Sequence, residues 1–359
     1  MQSLHIGTYF GIPVKIHWTF GLLIFYILYI SAAESLSLVD TLFFTLFTFL
    51  LFFCVILHEY GHALTARRYG VKTVDIVISP IGGIARLERL PKKPSQELAV
   101  AIAGPLVNLA IAAILLGTGH LLWGIEAMAQ EPADLTFLRN PKVLVVATIV
   151  LNLVLFLFNL IPAFPMDGGR ILRALLNFRF SRSTATNIAA KIGQGLAVLF
   201  VASSIYYGNI QWGLIGLFVY LTARNENKSV QLEEKLANTT AQHLMREDFT
   251  SLFIGDEMSI PIKIYNTTGE ADFLCFDSLG HIAGILPKQH LIEAIQQQHF
   301  SDKVMRYLSH NYVILQSQTT LQDVFEEMNK NGLSLAVIKN GDQILGVIDR
   351  HVLQEYISK

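Results

Sequence analysis

The sequence predicts two units in one chain: a membrane-embedded bundle of about six α-helices with a small β-hairpin or sheet insertion, followed by a soluble α/β unit. Three observations predict it. Of 359 residues, 52% are hydrophobic and only 15% are charged, whereas soluble domains carry about 25% charged residues. The apolar content is uneven: long apolar runs extend to about Arg224, and from Asn225 Lys, Glu, Gln and Asn interleave with Val, Ile and Leu. After Thr240 a pattern of about 60 residues recurs weakly. The expected divisions are 1–225 for the membrane unit, 226–240 for a linker and 241–359 for the soluble unit, with copies at about 241–298 and 300–359.

A hydrocarbon core of ~30 Å requires about 20 apolar residues of helix. The expected spans are 14–32, 41–66, 97–122, 143–158, 187–207 and 210–223, of which the last is short. The run starting near Val14 continues for a full span, without the short core and small-residue end of a cleavable signal. Basic residues orient the spans. The segment after the second carries Arg67, Arg68, Lys72, Arg86, Arg89, Lys92 and Lys93; the segment after the fourth carries Arg170, Arg173, Arg179 and Arg182; Arg224 and Lys228 follow the sixth. The first link has Glu34 and Asp40 and no basic residue, and the third mixes Glu126, Glu131 and Asp134 with Arg139 and Lys142. This alternation predicts a multi-pass protein of the cell (inner) membrane with both termini in the cytosol. A net charge of −1 gives no electrostatic footprint for nucleic acid. Cys54 and Cys275 lie far apart without metal-type spacing and read as buried apolar residues.

The second span ends in His58-Glu59-Tyr60-Gly61-His62. Side chains at i and i+4 share a helix face, so His58 and His62 can reach one metal ion at ~2.0–2.1 Å. Glu59 then stands where it can take a proton from a metal-activated water. Ionisable groups in an apolar helix are costly unless paired or coordinated; the plain alternative is a wet helix end at the interface. A third ligand is needed, and Asp167, in Pro162-Ala163-Phe164-Pro165-Met166-Asp167-Gly168-Gly169, is the strongest candidate. The second and fourth spans run the same way, and the prolines end the fourth at a depth comparable to His58, about 16 residues or ~24 Å along its span. Irregular backbone at that depth is tolerated only against protein or a water-filled cavity. Asp167 could otherwise be a turn residue before two glycines.

Taken together, these residues resemble the site-2 protease family of intramembrane zinc metalloproteases. The likeness covers about residues 11–173: Gly11-Ile12-Pro13, His17-Trp18, the His58–His62 helix, Gly104-Pro105 with Asn108, and the stretch from Asn159 to Gly169. The resemblance implies one catalytic Zn2+ on His58, His62 and Asp167, with Glu59 as general base. It also implies that Asn108 and Asn159 lie near the centre as substrate or oxyanion contacts; a helix-to-helix hydrogen bond is the alternative. His17 reads as an interfacial anchor beside Trp18.

Residues 71–90 alternate apolar and polar around Pro80-Ile81-Gly82-Gly83 and predict a hairpin or small sheet too polar to span. Such an edge could hold an unwound substrate segment by main-chain hydrogen bonds, or anchor the chain at the membrane surface. In the tail, Leu244-Met245-Arg246 matches Val304-Met305-Arg306, and residues 282–291 match 344–353. Each copy reads helix, strand, helix, strand, strand, helix and resembles one half of a tandem pair of cystathionine-beta-synthase (CBS) domains. That likeness implies an adenine-nucleotide site with Asp349 on the ribose; the first copy has Pro287 there. A ligand-free docking or dimerisation platform is the alternative.

The expected function is intramembrane proteolysis of a membrane-spanning regulatory protein near the cytosolic face, with the CBS unit as regulator. A CBS-regulated transporter or channel with a metal site, and an inactive scaffold, are the rival readings.

Overall fold

The computed structural model describes residues 3–80, 82–88, 91, 93–124 and 140–358. Ile81, Arg89, Lys92, Glu126, Glu131, Asp134 and Arg139, used in the sequence reading, lie outside the described residues. The chain divides into two compact units, Met1–Lys228 and Ser229–Lys359.

The first unit opens with strands β1 (Ser3–Tyr9) and β2 (Ile12–His17), a turn of 3-10 helix, and α1 (Gly21–Ala33). The first expected span is therefore corrected: Val14 and Ile16 sit in β2, paired with Ile76 and Ile78, and not in a helix. Ile12, Val14 and Ile16 alternate with Pro13, Lys15 and His17, the two-residue period of a strand. Hydropathy alone merges this run with the helix that follows.

α2 (Leu38–Arg68), β3 (Thr73–Ser79), β4 (Gly82–Leu87), α3 (Pro94–Trp123), α4 (Pro141–Asn159), α5 (Asp167–Leu176), α6 (Arg182–Tyr207) and α7 (Ile210–Asn238) complete the series. Four of these, α2, α3, α4 and α6, are long and apolar enough to cross a membrane. Leu42, Leu46, Phe49 and Phe53 of α2 and Val154 and Leu157 of α4 are exposed, as expected of surfaces that face lipid. α1 is shorter than a full span, and only the first half of α7 is apolar.

Where the helices meet, small residues allow close approach. Ala63, Ala66, Ala101, Ala112, Ala185, Ala189 and Ala197 are buried. A Cβ at Gly61 of α2 would stand 2.8 Å from the Ala103 carbonyl oxygen of α3.

The strands form one sheet in the order β1-β2-β3-β4, with β2 and β3 parallel and both hairpins antiparallel. The β3–β4 hairpin matches the sequence expectation, and β4 is an edge strand. Asp75, fully buried on β3, accepts from Lys15 of β2 at 2.7 Å and from Arg86 of β4 at 2.6 Å. Those charges tie three strands together, and the Arg86 guanidinium, followed by the Lys15 ammonium, holds the Asp75 carboxyl down at about 2.

The second unit holds two copies of one plan. The first runs through β5 (Ser251–Phe253), α8 (Ser259–Thr268), β6 (Phe273–Phe276), β7 (Ile282–Leu286) and α9 (Lys288–Gln296). The second runs through β8 (Tyr312–Gln316), α10 (Leu321–Lys330), β9 (Leu335–Asn340), β10 (Gln343–Asp349) and α11 (Arg350–Ser358). Each copy begins with a turn of 3-10 helix, at Ala241–His243 and at Val304–Tyr307. In each sheet the first pair of strands is parallel and the second antiparallel. Leu274 and Ile285 of the first copy pack with Leu335, Val337 and Val347 of the second, giving the copies a shared core. Burial pushes the Cys275 thiol up to about 12, which leaves it an inert core group.

Candidate metal centre

α2 presents His58 and His62 on one face, one turn apart, and both are buried. The Nδ1 of His62 lies 2.7 Å from the Val100 carbonyl oxygen. A carbonyl can only accept, so this nitrogen carries the proton. The Nδ1 of His58 donates in the same way to Asn108 Oδ1 at 2.5 Å. In the neutral rings both Nε2 lone pairs are thereby left free, and they face each other at 3.0 Å. Asp167 Oδ2 stands 3.1 Å from each of them.

This triangle of donors suits a cation. Two imidazole lone pairs and a carboxylate repel one another unless a positive charge sits among them. Two imidazole nitrogens and one carboxylate oxygen make a zinc donor set that leaves a fourth position open. In a tetrahedral shell with bonds of ~2.0–2.1 Å, neighbouring donors stand ~3.3–3.4 Å apart, so the triangle needs to widen only by a few tenths of an ångström. Zinc fits these residues.

Local sequence explains the convergence. α3 passes directly over the imidazoles at Gly104, where a Cβ would collide with the Nε2 atoms of both histidines. Asp167 opens α5, and Gly168 and Gly169 let the preceding loop fold back on that helix: a Cβ at Gly168 would collide with the Leu160 and Ile161 carbonyls, and one at Gly169 would stand 2.7 Å from the Phe164 nitrogen.

Glu59 is half-buried beside the triangle, and its Oε2 accepts the backbone N–H of Ala85 at 2.9 Å. Ala85 belongs to the edge strand β4, and a Cβ at Gly83 of the same strand would lie 2.8 Å from Glu59 Cγ.

Among the curated relatives, the zinc metalloprotease MJ0392 of Methanocaldococcus jannaschii is 36% identical over 72% of this chain and 70% of its own length. The chain belongs to peptidase family M50. The family model, described as Peptidase family M50, matches residues 46–201, which contain His58, Glu59, His62 and Asp167. A CBS-domain model matches 304–359, the second copy of the tail. A Synechocystis relative, sll0528, is 26% identical over 97% of this chain and 94% of its own length. The solved Site-2 Protease from Methanocaldococcus jannaschii is similar, with 38% identity, a TM-score of 0.47, and coverage of 63% of this chain and 95% of that one. This M50 peptidase is thus an integral membrane zinc metalloprotease with a CBS tail.

The two asparagines singled out in the M50 peptidase sequence occupy different settings. Asn108 is fully buried; besides accepting from His58, it donates to Asn152 Oδ1 at 2.9 Å. Asn152 in turn donates to the Thr148 carbonyl at 2.9 Å and to Cys54 Sγ at 3.4 Å. The Asn108 amide is therefore engaged at both ends by protein, in the helix-to-helix arrangement. Asn159 donates to the Leu155 carbonyl of its own helix at 3.0 Å.

Sequence reasoning missed Asn152, although an amide in the apolar run of α4 was a signal. It also counted Arg173 only among the basic residues that orient the link after the fourth span. Arg173 is fully buried, bonded to Glu97 at 2.7 Å and to Glu226 at 2.6 Å.

In the tail, Asp349 caps α11 by accepting from the Val352 N–H at 2.8 Å and pairs with Arg246 at 3.2 Å. A cleft of about 650 Å³ lies nearer the first copy, lined by Asp272, Pro287, Lys288, His290, Asn311 and Arg350 among others. Burial raises the Asp272 carboxyl above the usual carboxylate range.

Proposed function

We propose that this M50 peptidase cleaves a membrane-spanning regulatory protein close to the cytosolic face, using His58, His62 and Asp167 as zinc ligands and Glu59 as general base. The observation that carries this reading is the meeting of two free Nε2 lone pairs and one buried carboxylate beside a glutamate held by an edge strand. Bound zinc supplies Lewis acidity, acidifying a water and polarising a carbonyl. Asn108 and the Val100 carbonyl fix the imidazole tautomers that make such binding possible. The Ala85 N–H orients the Glu59 carboxylate, which takes the water's proton as the new C–O bond forms and returns it to the leaving amine as the C–N bond breaks.

The substrate must present an extended segment, because a helical carbonyl is occupied by its own hydrogen bond. β4 runs past Glu59 as an edge strand, which supports docking of that segment by strand addition. Asn159, near the end of α4, remains our candidate for a polar contact to substrate or oxyanion, and Asn108 acts through His58.

We further infer that both termini are cytosolic, from the charge alternation, and that the CBS unit is the regulator. The 650 Å³ cleft, with Lys288, His290, Asn311 and Arg350 on its walls, suits an adenine nucleotide. Asp349 is the ribose candidate by resemblance, although its carboxylate is engaged by Arg246 and the α11 N-terminus. Dimerisation through this unit is the competing use of the same surface. The metalloprotease relatives leave the transporter reading without support, and the retention of all four hydrolytic side chains speaks against an inactive scaffold.

The test is coexpression of the full chain, wild type or Glu59→Gln, with a library of single-span regulators, read as processed fragments. Cleavage by the wild type alone is expected. Equal cleavage by both would sink the assignment of Glu59.

A further inference from the structure

Six residues after Asp167, on the same helix, Arg173 is buried in a ring of partners from three other parts of the first unit. Its Nε donates to Glu97 Oε1 of α3 at 2.7 Å, and one terminal nitrogen donates to Glu226 Oε1 of α7 at 2.6 Å. The other terminal nitrogen stands 2.6 Å from Glu97 Oε1, and the guanidinium lies 5.3 Å from the centre of the Phe164 ring. Phe164 belongs to the loop that leads into Asp167.

A buried triad of this kind contributes little net stability, because the desolvation of its charges offsets their attraction. Its planar fork of donors is directional, however, and can fix the helix that carries it. α5 has only ten residues and begins at Asp167-Gly168-Gly169. Isolated helices of that length are marginal, and each glycine weakens one by roughly 1 kcal/mol relative to alanine. The direction in which α5 points its first side chain is therefore set by what grips the helix from outside. α3, which Arg173 grips through Glu97, is also the helix that supplies Val100 and Asn108 to the histidines and passes over them at Gly104.

We propose that Arg173 is a positioning residue of the metal site: with Glu97 and Glu226 it registers α5, and hence Asp167, against α3 and the histidine pair of α2. Through Glu226 this registration depends on α7. The proposal rests on the reading of Asp167 as third ligand.

The experiment uses the purified full chain in lipid nanodiscs. Zinc affinity is measured by competition with a chromophoric chelator, ligand geometry by the visible bands of the Co2+-substituted protein, and folding by thermal melting of the metal-free form. Arg173→Gln is expected to weaken zinc by about 10–100-fold, as loss of an outer partner of a ligand does, and to alter the cobalt bands. Arg173→Lys, which keeps the charge but not the fork, should recover part of the affinity. Glu226→Gln, at a half-buried side chain that tolerates change, should shift affinity and cobalt bands in the same direction by less. Unaltered affinity and bands in a folded Arg173→Gln protein would overturn the proposal; if that variant does not fold, unaltered values in Glu226→Gln overturn it instead. Asp167→Ala serves as the control on the underlying reading: if its zinc affinity is normal, Asp167 is not a ligand, whereas a loss there with normal Arg173 and Glu226 variants defeats only the positioning role.

Discussion

The Glu59 carboxylate and the Ala85 backbone N–H are joined at 2.9 Å, so the proposed base is held by the main chain of a strand. Ala85→Pro removes that N–H and nothing else polar, at an edge position that tolerates proline. Loss of a hydrogen bond to a charged group costs about 1.5–3 kcal/mol. The expected result is a kcat lower by roughly 10–100-fold at unchanged zinc content, measured on a cleavable single-span substrate alongside metal analysis. A normal kcat would show that the contact does not orient the base.

Gly104 offers a test of the site's crowding. Alanine is the better helix former by about 1 kcal/mol, so Gly104→Ala should leave the helix intact. Its methyl group would nevertheless occupy the space of both imidazoles. Metal analysis should find zinc stoichiometry near zero in a protein whose far-UV dichroism is unchanged.

Asn152 touches no ligand directly and acts through Asn108 on His58. Asn152→Ala should leave the Asn108 amide free to rotate and lower zinc affinity by about 10-fold, at the weak end of outer-partner effects. Chelator competition reads this directly, and an affinity equal to wild type would assign Asn152 to helix packing alone.

The Asp75 ion triad makes the sheet sensitive to acid. Its carboxyl titrates at about 2 in the fold against an ordinary 3.8. A depressed carboxylate contributes stability that is fully present above the unfolded value and is lost as pH falls through the folded one. Protection factors of the β3–β4 amides, with the intrinsic pH dependence of exchange divided out, should therefore stay level from pH 7 to about 4 and fall between about 4 and 2. Asp75→Asn should exchange faster at neutral pH and lose this acid dependence.

Much of the candidate metal centre was legible because its chemistry is carried by side-chain identity at fixed spacing. His58, Glu59 and His62 declare themselves by one helical turn, and Asp167 by the prolines that break the helix before it and the two glycines that follow it. What stayed hidden was carried otherwise. The donor to Glu59 is a backbone N–H, which no residue type announces. Arg173 reads as a basic residue after a span, and only the approach of Glu97 and Glu226, 76 and 53 residues away in sequence, turns it into a buried anchor. The β1–β2 hairpin was concealed because its alternating strand runs straight into an apolar helix, and a hydropathy window averages the two. The repeat in the tail was visible in Gly284 and Gly346, but the core shared between the copies depends on contacts from Leu274 to Val347 that sequence periodicity does not encode.

An edge strand such as β4 recognises amide groups, and amide groups are the same in every polypeptide. A peptidase that received its client there would be nearly blind to the amino acids flanking the scissile bond. Selectivity would then reside in how readily a client's own helix unravels and in whether the client is admitted at all. Substituting helix-breaking residues into an otherwise resistant transmembrane segment should be enough to turn it into a client.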